Sequence, residues 1–216
     1  MKGNTMNKPL VLALTLIVGM IVITPMSPAM ASPGCDSAAY SLTGWRVTDT
    51  FNWYYNPTGQ PVDGLAAARR AVANAFSGQN ACGLSGVQVR QVYRGTTTAR
   101  PGVPSATQCG RSDKVSVIGW GSLSAVARTC TWTRRSRMVE SDVLLSTGRK
   151  YFVGNVPTGC TDKFDVWGVL VHETGHILGL GHASDPSQVM AAKTLPCSTG
   201  KRVFQAGDMA GLHRLY

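Results

Sequence analysis

The chain predicts a single α+β domain behind an amino-terminal leader. Three observations carry this reading. Short alternating or aromatic-rich segments, bounded by Gly, Pro, Asn and Ser, have the pattern of strands. Separate stretches carry apolar residues three and four apart, the pattern of helices packed on one side. No internal repeat and no linker interrupts the chain beyond the leader, whose length suits one ordinary domain able to bury a core.

The leader comes first. Lys2 and Lys8 make a basic start, Leu10 to Ile23 is an apolar run, and Pro25 and Pro28 break it. Ala29-Met30-Ala31 is a small-x-small cleavage site. This is the pattern of a secretory signal peptide over residues 1–31, leaving 32–216 as the domain and an extracellular destination. As an uncleaved anchor the run would be short. Fourteen helical residues reach ~21 Å, against a hydrocarbon core of ~30 Å. No later stretch could act as a transmembrane anchor.

The elements follow in order. Ser32 to Gly44 leads in. Phe51 to Tyr55 is a strand closed by the turn residues Asn56, Pro57, Thr58 and Gly59. Asp63 is placed to cap a helix whose stripe is Leu65, Ala68, Val72 and Phe76, with Gly78 and Gly83 at its exit. Val87 to Tyr93 alternates as a strand. Gly95 to Asp113 is a long Thr/Pro/Gly-rich loop that Cys109 can pin. Val115 to Trp120 is a third strand, Val126 to Thr133 a short strand or hairpin arm, and Met138 to Leu145 another strand. Ser146 to Lys163 is mostly loop. A second helix runs from Val166 to Leu178 with Asp165 as its cap. Gly175 lies inside it at a propensity cost of about 1 kcal/mol, which points to close packing against the sheet. Asp208 caps a final helix, Met209 to Leu215.

All six cysteines (Cys35, Cys82, Cys109, Cys130, Cys160 and Cys197) lie beyond the cleavage site. An even number in an exported chain predicts disulfides throughout. Six cysteines allow fifteen pairings, and sequence alone does not choose among them. The pairing taken as the expectation is Cys35–Cys82, Cys109–Cys130 and Cys160–Cys197. The last would brace the loop before the second helix against the segment after Met190. No Cys-x-x-Cys spacing suggests zinc on thiolates.

The net charge is +10, or +8 without Lys2 and Lys8. This basic balance favours anionic partners such as acidic substrates or cell-surface polymers. The basic residues are scattered. The densest group, Arg134, Arg135 and Arg137 beside Trp132, reads as a solvated hairpin tip. No nucleic-acid motif accompanies it, so no nucleic-acid partner is expected. With 11 acidic residues in all, calcium sites would lean on backbone carbonyls, and the sequence lends calcium no support.

The most informative run is His172 to His182. His172 and His176 are four apart, so on a helix they share one face a turn apart. Two imidazoles so placed can grip one Zn²⁺. Glu173 adjoins the first ligand, where a carboxylate reaches a metal-bound water. Gly179 can end the helix in a left-handed turn, letting the chain double back and bring in His182. Three protein ligands leave a fourth position open, as in a catalytic zinc site. His213, the remaining histidine, reads as a surface or packing residue.

The run resembles the zinc signature His-Glu-x-x-His-x-x-Gly-x-x-His of the metzincin metalloproteases. More narrowly it is similar to the matrixins, a group that includes small secreted bacterial proteins. Gln188-Val189-Met190 follows His182 at the spacing of the matrixin Met-turn. Asp208 to Tyr216 is similar to the family's closing helix, and Val139 to Leu145 to the strand before its zinc helix. The likeness runs from about Trp45 to Tyr216.

This resemblance implies a metzincin-like fold. A twisted, mostly parallel five-stranded sheet would carry two helices, and an active-site cleft would divide it from a small irregular C-terminal subdomain ending in a helix. It implies a secreted zinc endopeptidase acting on peptide or protein substrates; a monomer is the expectation, although the sequence does not fix the oligomeric state. His172, His176 and His182 would hold one catalytic Zn²⁺. Glu173 would take a proton from the zinc-bound water and return it to the leaving amine. Met190 would form an apolar base beneath the histidines and not ligate. A substrate strand would pair antiparallel with an edge strand, placed near Met138 to Leu145.

There are departures from the family pattern. Ala191 and Ala192 stand where many relatives carry Tyr-Pro. No histidine precedes His172, so the second, structural zinc of vertebrate relatives is not expected. About 13 residues separate Ala31 from Trp45, which leaves no room for a propeptide. Residues 33–36 are similar to the family's inhibitory cysteine segment, although the even cysteine count assigns Cys35 to a disulfide. Two alternatives differ in class: a non-catalytic, metal-stabilised cell-surface binding protein, and a zinc amidohydrolase acting on cell-wall peptides. Glu173 separates the first from an enzyme, since a binding protein needs no base.

Overall fold

Aromatic residues at alternate positions start the central sheet. The structure is a computed structural model that describes Met1 and residues 34–216; the expected leader, Met1 apart, lies outside the described residues. Among these no helix is long and apolar enough to cross a membrane.

In chain order the elements are β1 (Ser41–Leu42), β2 (Phe51–Asn56), α1 (Leu65–Ser77), β3 (Gln91–Thr96), β4 (Ser116–Gly121), β5 (Ala127–Arg134) and β6 (Arg137–Ser146). Then come β7 (Lys150–Phe152), β8 (Lys163–Asp165), α2 (Val166–Ile177), β9 (Leu180–Gly181) and α3 (Ala206–Leu215). The main sheet has the order β3-β2-β4-β6-β5. The β3/β2, β2/β4 and β4/β6 ladders are parallel, and β5/β6 is antiparallel. Arg135 and Ser136 turn the β5–β6 hairpin with positive φ (51° and 60°), the hand that matches strand twist. The basic tip there is exposed, as expected.

Both α1 and α2 pack on one face of this sheet. On that face Phe51, Trp53 and Tyr55 of β2 are buried, as are Ala68, Ala71, Val72 and Phe76 of α1 and Val166, Val169 and Leu170 of α2. Phe51 stacks on Phe76 with ring centroids 5.3 Å apart. The opposite face carries a smaller cluster, Val103, Leu123, Cys130 and Leu144. The loop that follows β3 covers it, held by Cys109–Cys130 and by two β6 carboxylates. Glu140 accepts the Lys114 amide (2.6 Å), and Asp142 accepts those of Gly102 and Val117 (2.5 and 2.7 Å). All three disulfides are those expected.

Several expectations are corrected. The strand expected over 87–93 forms its ladder at 91–96, because the Val87 and Val89 amides bond Ser77 O and Phe76 O at the exit of α1. Asp63 is not the N-cap of α1. Gly64 is, lying so close to Tyr55 that a Cβ would approach its hydroxyl to 2.7 Å. Asp208 sits at the third position of α3, with Gln205 as N-cap, and takes the Gln205 amide in a capping box. The segment expected as mostly loop is so, apart from the three-residue β7, which pairs with β8. The substrate-pairing edge expected near Met138 to Leu145 is interior, since β6 lies between β4 and β5; the free edge on that side is β5.

After α2 the chain is irregular apart from β9 and α3. β9 pairs antiparallel with β1, so the lead-in segment is built into the return loop. Met209 and Leu212 of α3 reach the main core.

Candidate active site

Asp165 begins α2 by accepting the Gly168 amide (3.1 Å), and Arg202 pairs with the same carboxylate at 2.6 Å. The guanidinium groups of Arg70 and Arg202 each lie over the Trp167 ring, 4.9 Å from its centroid. The start of the helix is therefore held through both Asp165 and Trp167. Its end is fixed by Gly179, whose φ of +101° breaks the helix and where a Cβ would meet Trp45 O at 2.1 Å. The chain reverses there and carries His182 back toward His172 and His176.

The candidate ligand nitrogens of His172, His176 and His182 all lie within 4.8 Å of one another. His172 Nδ1 bonds Val189 O (2.8 Å), and His176 Nδ1 bonds Leu180 O (2.9 Å). A carbonyl only accepts, so each Nδ1 carries a proton, and in the neutral imidazole that leaves Nε2 as the atom with the lone pair. His176 Nε2 and His182 Nε2 are 3.2 Å apart. Two nitrogens on one tetrahedral zinc at ~2.1 Å would stand about 3.4 Å apart, so this pair has the spacing of two ligands on one such ion, and His172 stands within 4.8 Å of both. Burial pushes the His172 pKa down to about 3, with His176 adding to the effect, and burial also lowers that of His182. Both are therefore neutral at pH 7, the form that binds metal.

Glu173 is buried beside His172, and burial raises its carboxyl above the usual range. Thr129 of β5 donates its hydroxyl to Glu173 Oε2 at 2.6 Å. Glu173 and the three histidines line a cleft of about 420 Å³, with Trp45, Thr129, Val169 and Ala192 also in its walls. The β5 edge forms one side.

A second layer holds this site. Asp208 accepts the amides of Val189 (2.9 Å) and Met190 (3.0 Å). Val189 O is the acceptor for His172, so α3 orients the first histidine through the Met190 turn. Gly175 is corrected here: it packs against the buried Met190 side chain, where a Cβ would lie 2.3 Å from the sulfur, and not against the sheet. The lead-in segment clamps the other side. Ser41 Oγ donates to His182 O (2.8 Å), Thr43 to Gly179 O (2.9 Å) and Trp45 Nε1 to His176 O (3.3 Å). His213 bonds Ser85 O (2.8 Å) at the surface, away from the cluster.

The motif residues therefore converge as the spacing predicts. Reading the chain does not find Thr129, Asp208's hold on the turn, or the clamp of Ser41, Thr43 and Trp45. Each joins residues far apart in sequence, and none carries a local signal.

The matrixin family model matches residues 61–216. This chain belongs to the matrixin family. Metalloendoproteinase 1 of Glycine max is 43% identical to this matrixin over 56 residues, which are 26% of the chain and 18% of the relative. The matrixin thus aligns with less than a fifth of that relative's length.

Proposed function

We propose that this matrixin is an exported zinc endopeptidase whose ion is held by His172, His176 and His182. The observation that carries the proposal is the pair of imidazoles with both Nδ1 protons committed to carbonyls, so that their Nε2 lone pairs stand beside His182 and the buried Glu173. Family membership supports a metalloendopeptidase. The basic leader pattern and three disulfides support export.

A bound zinc would supply Lewis acidity and make water a nucleophile at neutral pH. The protein's own groups do the rest. Val189 O and Leu180 O keep the imidazoles in the ligating tautomer. Glu173 takes the proton of the attacking water and delivers it to the departing amine nitrogen as the C–N bond breaks. Its raised pKa suits a group that must hold a proton briefly and then give it up. The β5 edge offers backbone groups to an extended peptide running antiparallel to it. Met190 supports the helix from beneath and takes no part in ligation.

The test is to incubate the mature protein with a mixed peptide library, with and without a chelator, and map the cut sites. Internal cleavage abolished by the chelator and restored by added zinc is the expected result. Zinc binding without cleavage of any peptide would instead favour the non-catalytic binding protein, and hydrolysis confined to cell-wall peptides the amidohydrolase.

A further inference from the structure

The hydroxyl of Thr129 lies 2.6 Å from Glu173 Oε2 and 3.1 Å from the Glu173 carbonyl oxygen. A hydroxyl has one proton, so it serves one of these acceptors at a time. The shorter contact has the length of an O–H···O⁻ bond to a carboxylate. No other protein donor among the described residues bonds the Glu173 carboxylate, and Oε1 is left without a protein partner on a residue that lines the cleft.

The mounting of Thr129 is rigid. It pairs with Val143 in the β5/β6 ladder, and its neighbour Cys130 is tied to Cys109. Its side chain is β-branched and has few rotamers. Glu173, by contrast, has a long side chain with several torsions to order.

We propose that Thr129 is a positioning residue for Glu173, holding Oε2 from the edge strand so that Oε1 is presented to the reacting water and leaving nitrogen. The inference rests on the reading of Glu173 as the proton-transfer group. It joins the two halves of the cleft, because the strand that would align the peptide also orients the group that acts on it. Proximity of this kind raises the rate of the chemical step with little effect on ground-state binding.

The experiment uses the mature zinc-loaded protein and one defined peptide chosen from the library for efficient cleavage. Thr129→Val keeps the shape and removes the hydroxyl; Thr129→Ser restores it. With Thr129→Val, kcat should fall by roughly 10- to 100-fold, the worth of one hydrogen bond to a charged group. KM, zinc content and melting temperature should stay near wild type, and Thr129→Ser should recover most of kcat. Wild-type kcat in Thr129→Val would overturn the proposal. So would a loss in both variants that tracks reduced zinc content or melting temperature, since the role would then be structural. Glu173→Gln in the same assay separates the two readings. If it cleaves like wild type, the role given to Glu173 fails; if it is inactive while Thr129→Val is fully active, only the role of Thr129 fails.

Discussion

Gly175 and Met190 fill one space between α2 and the turn beneath it: a Cβ on the glycine would stand 2.3 Å from the methionine sulfur. Met190 is 1% exposed, so any shift of its sulfur has to be taken up by buried neighbours. The helix that presents His172 and His176 therefore rests on this contact.

Gly175→Ala should accordingly destabilise the fold despite a gain of about 1 kcal/mol in helix propensity. Overpacking a buried site costs about 1–3 kcal/mol, and the displaced turn carries Val189 O, the acceptor for His172. Urea unfolding should show a lower midpoint, and chelator competition should show weaker zinc binding. An unchanged midpoint would mean that Met190 repacks freely.

His176→Ala should lose stoichiometric zinc, because it removes one nitrogen of the 3.2 Å pair and leaves two ligands. Elemental analysis of purified protein checks this. The wild type should also melt at a lower temperature after chelation, since an ion bound only by the folded state stabilises it, whereas His176→Ala should melt at the same temperature either way.

Glu173→Gln should keep its zinc, because the carboxylate is not among the grouped ligand atoms. Peptide cleavage should fall by at least ~10²–10⁴, the usual worth of general acid–base help. Cleavage at the wild-type rate with zinc bound would refute the proposed mechanism.

Asp142 gives a pH dependence away from the cleft. Burial raises its carboxyl from 3.8 to about 7, against the opposing pull of the Gly102 and Val117 amides. The folded state thus keeps a proton that the unfolded chain releases near pH 4. Its contribution to stability is whole below that pH and is lost as pH rises through about 7. The ceiling on the loss is on the order of 4 kcal/mol. Asp142→Asn cannot titrate, so the stability of wild type relative to this variant should fall between pH 4 and 7 in urea titrations. A difference that is flat with pH would place the proton elsewhere.

Much of this protein is legible before it is folded. His172, Glu173 and His176 share one helix, so its periodicity brings them near one another, and Gly179 signals the reversal that returns His182. The stripe of α1 and the alternating aromatics of β2 are legible because their burial follows a short, regular period, whereas β4 and β6 are legible as short apolar runs and are buried almost continuously.

What sequence leaves open depends on contacts between distant segments. Val87 and Val89 alternate like a ladder strand, but the end of α1 takes their amides first. Met138 to Leu145 has the pattern of any half-apolar strand, and only the assembled order of strands makes it interior and β5 the edge. Thr129 meets Glu173, Asp208 meets Val189, and Ser41 meets His182 across 44, 19 and 141 residues. Side-chain periodicity reports which face of an element is buried, and carries no information about which distant residue will stand opposite it.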